Sequence, residues 1–99
     1  MYTVIRRYQG VLDNAEVVRR AIEEFAPQLL GKPGFQGYWV VDGGDGVVAT
    51  ISVYDSEEAA ADSTAAAATW VQENLGTLVP NPPRVTSGDT IGVTAEVPA

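Results

Sequence analysis

Residues 35–54 read FQGYWVVDGGDGVVATISVY. Two runs of β-branched and aromatic residues flank a glycine-rich centre, which is the pattern of a β-hairpin. Phe35 to Val41 is expected to form one strand, Asp42-Gly43-Gly44-Asp45-Gly46 the connection, and Val47 to Tyr54 the next strand. Neither run carries a charge on either face. A sheet face open to water normally alternates apolar and polar residues. Tyr38 and Trp39 are consecutive, so they point to opposite faces. Burying an aromatic side chain contributes about 1.5–3 kcal/mol, and an exposed one forgoes most of that. The pattern therefore predicts cover on both faces: helices on one, and on the other the same face of a second copy. The alternative is a monomer whose bare face has only threonine and serine for polarity.

Outward from the hairpin, each side offers a helix and then a strand. Upstream, Ala15, Val18, Ile22, Phe25 and Leu29 recur at steps of three and four, a helical core stripe. Asp13 or Asn14 can cap it, and Glu16–Arg20 and Arg19–Glu23 are spaced for ion pairs on its outer face. Pro27 should kink this helix or end its regular part near Ala26, leaving a looser turn before Gly31. Lys32-Pro33-Gly34 reads as a turn. Before the helix, Tyr2 to Gln9 reads as the first strand.

Downstream, a helix is expected from Asp55 or Ser56 to about Leu75, with Asp55 and Glu58 at capping-box spacing and Gly76 at its C-terminus. Its stripe is Ala60, Thr64, Ala67, Val71 and Leu75. Pro80-Asn81-Pro82-Pro83 forms a connector. Arg84 to Val93 is the fourth strand, with a bulge at Gly88-Asp89, and Val93 to Ala99 an arm continuing it. The order β-α-β-β-α-β is ferredoxin-like: an α+β fold with an antiparallel four-stranded sheet and both helices on one face. The 99 residues fit a single domain, residues 1–99.

Composition narrows the chemistry. The chain has no cysteine and no histidine, which removes disulfides, thiolate nucleophiles, the commonest metal ligands and the usual general base near neutral pH. With 13 acidic and 6 basic residues the net charge is −7, which repels nucleic-acid phosphates. No apolar run reaches the roughly 20 residues of a membrane span, and no signal peptide is visible, so the cytoplasm is the expected location. No metal site and no cofactor are expected. Gly43-Gly44-Asp45-Gly46 opens no helix, so it is a turn and not a phosphate cradle.

Pro33-Gly34-Phe35-Gln36-Gly37-Tyr38 resembles the "PGF-x-G" turn and strand of the antibiotic biosynthesis monooxygenase-like family. Ser52-Val53-Tyr54-Asp55-Ser56-Glu57-Glu58-Ala59 is similar to the family's strand-to-helix junction. Trp70 to Leu75 and Pro80 to Pro83 resemble a subset of its small members. The resemblance implies a dimeric α+β barrel with a cleft between sheet and helices in each protomer. It also implies an activity among oxygenases of aromatic polyketides that need no metal or flavin, haem-degrading enzymes, and relatives acting on quinones or small aldehydes. Haem-degrading members place a histidine on the helix after the third strand; here that stretch is Asp62-Ser63-Thr64-Ala65, so haem degradation is not expected. The aromatic residue at the end of the third strand, usually tryptophan, is Tyr54.

An oxygenase of this kind lets an electron-rich phenol lose a proton and reduce oxygen, while the protein supplies a dry pocket and groups for the anion. Arg6 and Arg7 are consecutive on a strand, so one must turn inward, and a buried arginine needs an anion. Either a substrate or a carboxylate of the second subunit would serve. Tyr54 either bonds a substrate oxygen and relays a proton, or closes the core. Tyr38, Trp70, Asn74 and Tyr8 either wall a pocket or plug the seams between helices and sheet. The alanine-rich second helix leaves room for a ligand. Three functions fit these residues: a cofactor-independent monooxygenase acting on an aromatic or quinone-like molecule, a ligand-binding or stress-associated module without catalysis, and an isomerase or cyclase working by proton transfer.

Overall fold

The computed structural model describes residues 1–91. Strand β1 (Tyr2–Tyr8) leads to helix α1 (Asn14–Arg20), a π-helical turn (Ala21–Phe25) and a short helix α2 (Ala26–Leu29). Strands β2 (Phe35–Gly44) and β3 (Val47–Tyr54) follow, then the long helix α3 (Glu57–Leu75) and strand β4 (Arg84–Asp89). The strands form one antiparallel sheet in the order β2-β3-β1-β4. This is the ferredoxin-like α+β arrangement that the element order predicts.

The helix-covered face is set by strict alternation. Val4, Arg6 and Tyr8 of β1 and Val48, Thr50, Ser52 and Tyr54 of β3 are buried, whereas Ile5 and Arg7 point the other way and are exposed. Tyr38 pairs with Ser52 and so faces the helices; Trp39 pairs with Ile51 on the bare face and is 56% exposed. The indole lies over Gly37, where an added Cβ would sit 2.7 Å from the ring. On that bare face Arg7 stands directly across from Arg84.

Asp13 caps α1, its carboxylate accepting from the Glu16 N–H at 3.1 Å. Asn14 instead donates to Asp42 and to the Val47 carbonyl, tying the helix start to the β2–β3 hairpin. The buried stripe differs from the expected one. Val17, Ala21, Phe25 and Leu29 are buried, every fourth residue, while Ala15 and Ile22 are exposed. In a regular α-helix a step of four turns about 40° past a full circle, so such a series would drift off the core. The wider π turn, in which the Ala26 N–H bonds back to the Ala21 carbonyl, takes up that drift. Pro27 lies inside this unbroken helical run directly after the π turn, and its missing N–H leaves a carbonyl of that turn without its usual helical donor.

Four other boundaries differ. Ser56, not Asp55, caps α3, accepting from the Ala59 N–H at 3.1 Å, so the Asp55–Glu58 capping box does not form. Asp55 belongs to the Pro33-Gly34-Phe35 turn: its N–H donates to the Gly34 carbonyl at 2.8 Å. Strand β2 runs on to Gly44, with register shifts between Phe35 and Gly37 and between Asp42 and Gly44, and the turn shrinks to Asp45-Gly46. Strand β4 pairs with Tyr2–Arg7 without interruption, so Gly88-Asp89 makes no bulge. The arm expected over Val93 to Ala99 lies outside the described residues.

The core lies between helices and sheet. One cluster joins Tyr8, Val11, Val17, Val48, Leu75 and Val79; a second joins Val4, Tyr54 and Ala60; a third joins Phe25, Leu29 and Ala67. Among the described residues no helix is long and apolar enough to cross a membrane.

Candidate functional site

Helix α1 packs on β2 and β3, and α3 on β1 and β3, so the two helices sit toward one side of the sheet. A cleft opens between α3 and the helix-side residues of β1 and β4. It has two lobes that share Thr64, Ala68 and Val85. The first lobe, about 430 Å³, has Arg6 and Tyr8 on its floor, Val71 and Gln72 on its wall, and the proline-rich connector at its rim. That connector is tied down by Asn81, whose amide donates to the Gln9 carbonyl at 3.2 Å. The second lobe, about 390 Å³, is walled by Ala60, Ala61 and Ala65, with Ser87 of β4 and Glu57 at the helix start. Small side chains on this flank of α3 make the space: a sequence rich in alanine for helix formation also leaves nothing to fill the gap above β4.

Arg6 dominates the electrostatics. The residue is only 5% exposed, and its Nη2 is fully buried without a hydrogen-bond partner. The ion pairs among the described residues join Arg19 and Arg20 to Glu16, Glu23 and Glu24 on the outer face of the first helix. None reaches Arg6. A guanidinium keeps its charge under all conditions a protein survives, so it cannot escape burial by losing a proton. An unpaired buried charge costs several kcal/mol, and no carboxylate among the described residues pairs with this one.

Two phenols lie near this charge. Burial pushes the Tyr8 hydroxyl above its ordinary range, and Arg6 pulls it part of the way back. Burial pushes Tyr38 up further, with the Tyr8 hydroxyl adding to the rise and Arg6 opposing it. Both are therefore neutral hydrogen-bond donors near neutral pH and not bases.

Tyr54 is 1% exposed and lines neither lobe; its hydroxyl donates to Ser63 Oγ at 2.6 Å, and its ring meets Phe35 edge-on. Trp70 packs against Phe25, with ring centroids 5.1 Å apart, and Tyr38 meets the same Phe25 edge-on at 5.9 Å. These rings seal the first helix against α3. Asn74 is exposed; its side chain donates to the Trp70 carbonyl, and its own carbonyl accepts from Arg20. Arg7 is on the bare sheet face. The fold thus brings Arg6 and Tyr8 together in the cleft with Tyr38 nearby, and places Tyr54, Trp70, Asn74 and Arg7 elsewhere.

Several contributors escaped sequence reasoning. Ser63 had a usable signal: a hydroxyl three residues after Ala60 and four before Ala67 falls on the buried stripe, where a polar group needs a partner. Gln72, Ser87 and Asn81 carried none, because which flank of α3 faces β4 is decided by packing.

The fold and site define the class: a ferredoxin-like α+β domain with a cleft between sheet and helix and the Arg6 side chain on its floor. The chain belongs to the antibiotic biosynthesis monooxygenase family, whose model matches residues 1–71. Arg6, Tyr8, Thr64 and Ala68 fall within the match, while the connector and β4 fall beyond it. No curated protein matches the chain significantly. Among solved structures it is similar to a monooxygenase from the gene ActVA-Orf6 of Streptomyces coelicolor, in complex with the ligand nanaomycin D. The TM-score is 0.76 at 19% identity, over 99% of this chain and 92% of that one. It is also similar to the NE2512 protein of unknown function from Nitrosomonas europaea (TM-score 0.74, 16% identity, 99% and 94% covered). A third likeness is to Rv0793 from Mycobacterium tuberculosis (TM-score 0.72, 17% identity, 95% and 98% covered). At such identities these likenesses establish the fold.

Proposed function

We propose that the cleft binds an aromatic, quinone-like molecule as its anion and that the protein oxidises it with molecular oxygen, without a metal or flavin. The observation that carries this reading is the buried Nη2 of Arg6, which has no hydrogen-bond partner among the described residues. Membership of the monooxygenase family supports it, as does the chain's lack of His and Cys. In the reaction the substrate loses a proton to water, and its carbanion adds to oxygen to give a peroxide anion. That anion takes a proton, and loss of water leaves a carbonyl. All four electrons that reduce the oxygen, one atom of it to the carbonyl and the other to water, come from the substrate, so no external reductant is consumed. Arg6 stabilises the anions, and the neutral Tyr8 phenol donates a hydrogen bond to the peroxide. We assign Tyr54, whose proton is engaged by Ser63, to holding α3 against the sheet.

Oxygen uptake with a panel of hydroquinones and anthrones tests the reading. Consumption should fall by about 10²–10³ in Arg6→Gln, the range for losing one oxyanion-stabilising donor. No uptake with any member of the panel refutes it. One observation favours binding without catalysis instead: among the described residues the lobe around Arg6 is lined by no carboxylate, so no side chain described there is suited to take a proton. The same observation weighs against an isomerase or cyclase.

We also propose that the bare sheet face pairs with that of a second copy. Trp39 at 56%, Val41 at 47% and Ile5 at 38% exposure form an apolar surface that a partner would cover. Ile51→Lys should then sediment as a single protomer. A wild-type chain that does so at micromolar concentration sinks the proposal.

A further inference from the structure

We propose that the cleft selects a planar aromatic molecule that is already ionised in solution, and takes it in one orientation, anionic end on Arg6 and uncharged end toward Glu57. This rests on the reading of the cleft as a binding site and names the ligand class that site accepts.

The lining of the first lobe decides the ionisation state. Its polar side chains are Arg6, Tyr8, Thr64, Gln72 and Asn81. They offer a fixed positive charge, hydroxyls and amides, but no carboxylate. Tyr8 is held neutral by burial and serves as a donor. A weakly acidic phenol entering this lobe would have to surrender its proton to water, which is unfavourable at neutral pH for a group that ionises near about 10, and no carboxylate among the described lining residues is there to help. A carboxylate, or a hydroxyquinone whose charge is spread over ring and carbonyls, arrives without that proton and pairs with the guanidinium directly.

Shape and charge decide the rest. The lobes share Thr64, Ala68 and Val85, so a ring seated beyond Arg6 extends along the alanine flank of α3. Glu57 is the one charged residue of the second lobe. It repels a second anionic group and favours a neutral or cationic end. Opposite charges at the two ends of the joined lobes fix the direction in which a ligand lies.

Titration calorimetry of the full chain with naphthoate, hydroxynaphthoquinone and naphthol tests this at neutral pH, where the first two are anions and the third is not. The wild type should bind the anions at least about tenfold more tightly than naphthol, the scale of one charge-assisted hydrogen bond. Arg6→Gln should bring the three together, and Arg19→Gln on the outer helix face should keep the preference. A preference for naphthoate alone assigns Arg6 to a carboxylate handle; one for hydroxynaphthoquinone alone assigns it to the ring oxygen. Naphthalene dicarboxylate should bind more weakly than naphthoate, and Glu57→Gln should narrow that gap. If Arg6→Gln does not fold, wild-type affinity for naphthoate must still fall as the pH drops through the acid's own ionisation. Equal binding of naphthol and the anions by the wild type, or no binding of any probe, overturns the inference. Absence of oxygen uptake with the anion preference intact overturns only the oxygenase reading.

Discussion

Replacing Arg6 with methionine should make the ligand-free protein more stable while removing its affinity for anions. Methionine keeps the length and apolar stem of arginine and lacks the charge. Arg6 is 5% exposed, with Nη2 buried and unpaired. Exchanging even a paired set of buried ionic groups for well-packed apolar ones is neutral or stabilises by about 1–4 kcal/mol, and a charge without a partner has no pairing energy to lose. The opening of the first lobe beside Arg6 lets water soften the penalty, which favours the lower half of that range, about 2 kcal/mol. For a domain of this size 1 kcal/mol moves Tm by about 4–8 °C, so the expected rise is about 10 °C. The assay is urea unfolding followed by circular dichroism, at fixed protein concentration because self-association would contribute. The slope should be unchanged, with the midpoint moved upward. Naphthoate should raise the midpoint of the wild type and leave that of Arg6→Met alone. A lower midpoint for Arg6→Met would mean that the guanidinium is satisfied in solution by a group of a second copy or by water. The argument for a ligand anion would then fail.

Tyr54→Phe should destabilise by about 1–2 kcal/mol, because it removes a buried hydrogen bond and leaves Ser63 unpartnered; oxygen uptake should stay within a few-fold of wild type, and near-total loss would return the proton-relay role to Tyr54. Gly34→Ala should cost about 1–3 kcal/mol in the same unfolding assay, since Gly34 has φ +79° and a Cβ there would lie 2.2 Å from the Asp55 carboxylate. Alkaline pH should destabilise the fold. Tyr8 and Tyr38 are raised in the folded state above an ordinary value of 10, so the unfolded chain loses these protons first. Their contribution is complete below about pH 10 and declines above it, and tyrosinate absorbance should show two phenols that ionise late or only on unfolding.

The fold was legible because its signals are local. Alternation in Val47–Tyr54, the glycine-rich connection and the two helical stripes specify element type over a few residues each, and β-α-β-β-α-β order leaves few topologies. The family's Pro-Gly-Phe turn is legible as a turn from its residues, but its need for glycine is tertiary: Gly34 meets Asp55 from the far end of β3. The first helix resisted because its stripe follows a π turn, a departure from α periodicity that its sequence does not announce except through Pro27.

The site was half legible. Two consecutive arginines on a strand guaranteed that one turns inward, but not which. Register chose Arg6, because Val4, Arg6 and Tyr8 share the helix face and Arg7 falls opposite Arg84. Tyr54 was open to a proton-relay role and Trp70 to a pocket wall, each against a packing role; contacts with Ser63 and Phe25 place both in the packing. Element types, their order and a buried cation could be read from the chain, since backbone periodicity and the chemistry of a guanidinium are local properties. That the cation has no partner among the described residues and opens onto a cleft follows from packing, because the empty flank between α3 and β4 arises from how a long alanine-rich helix settles across the sheet.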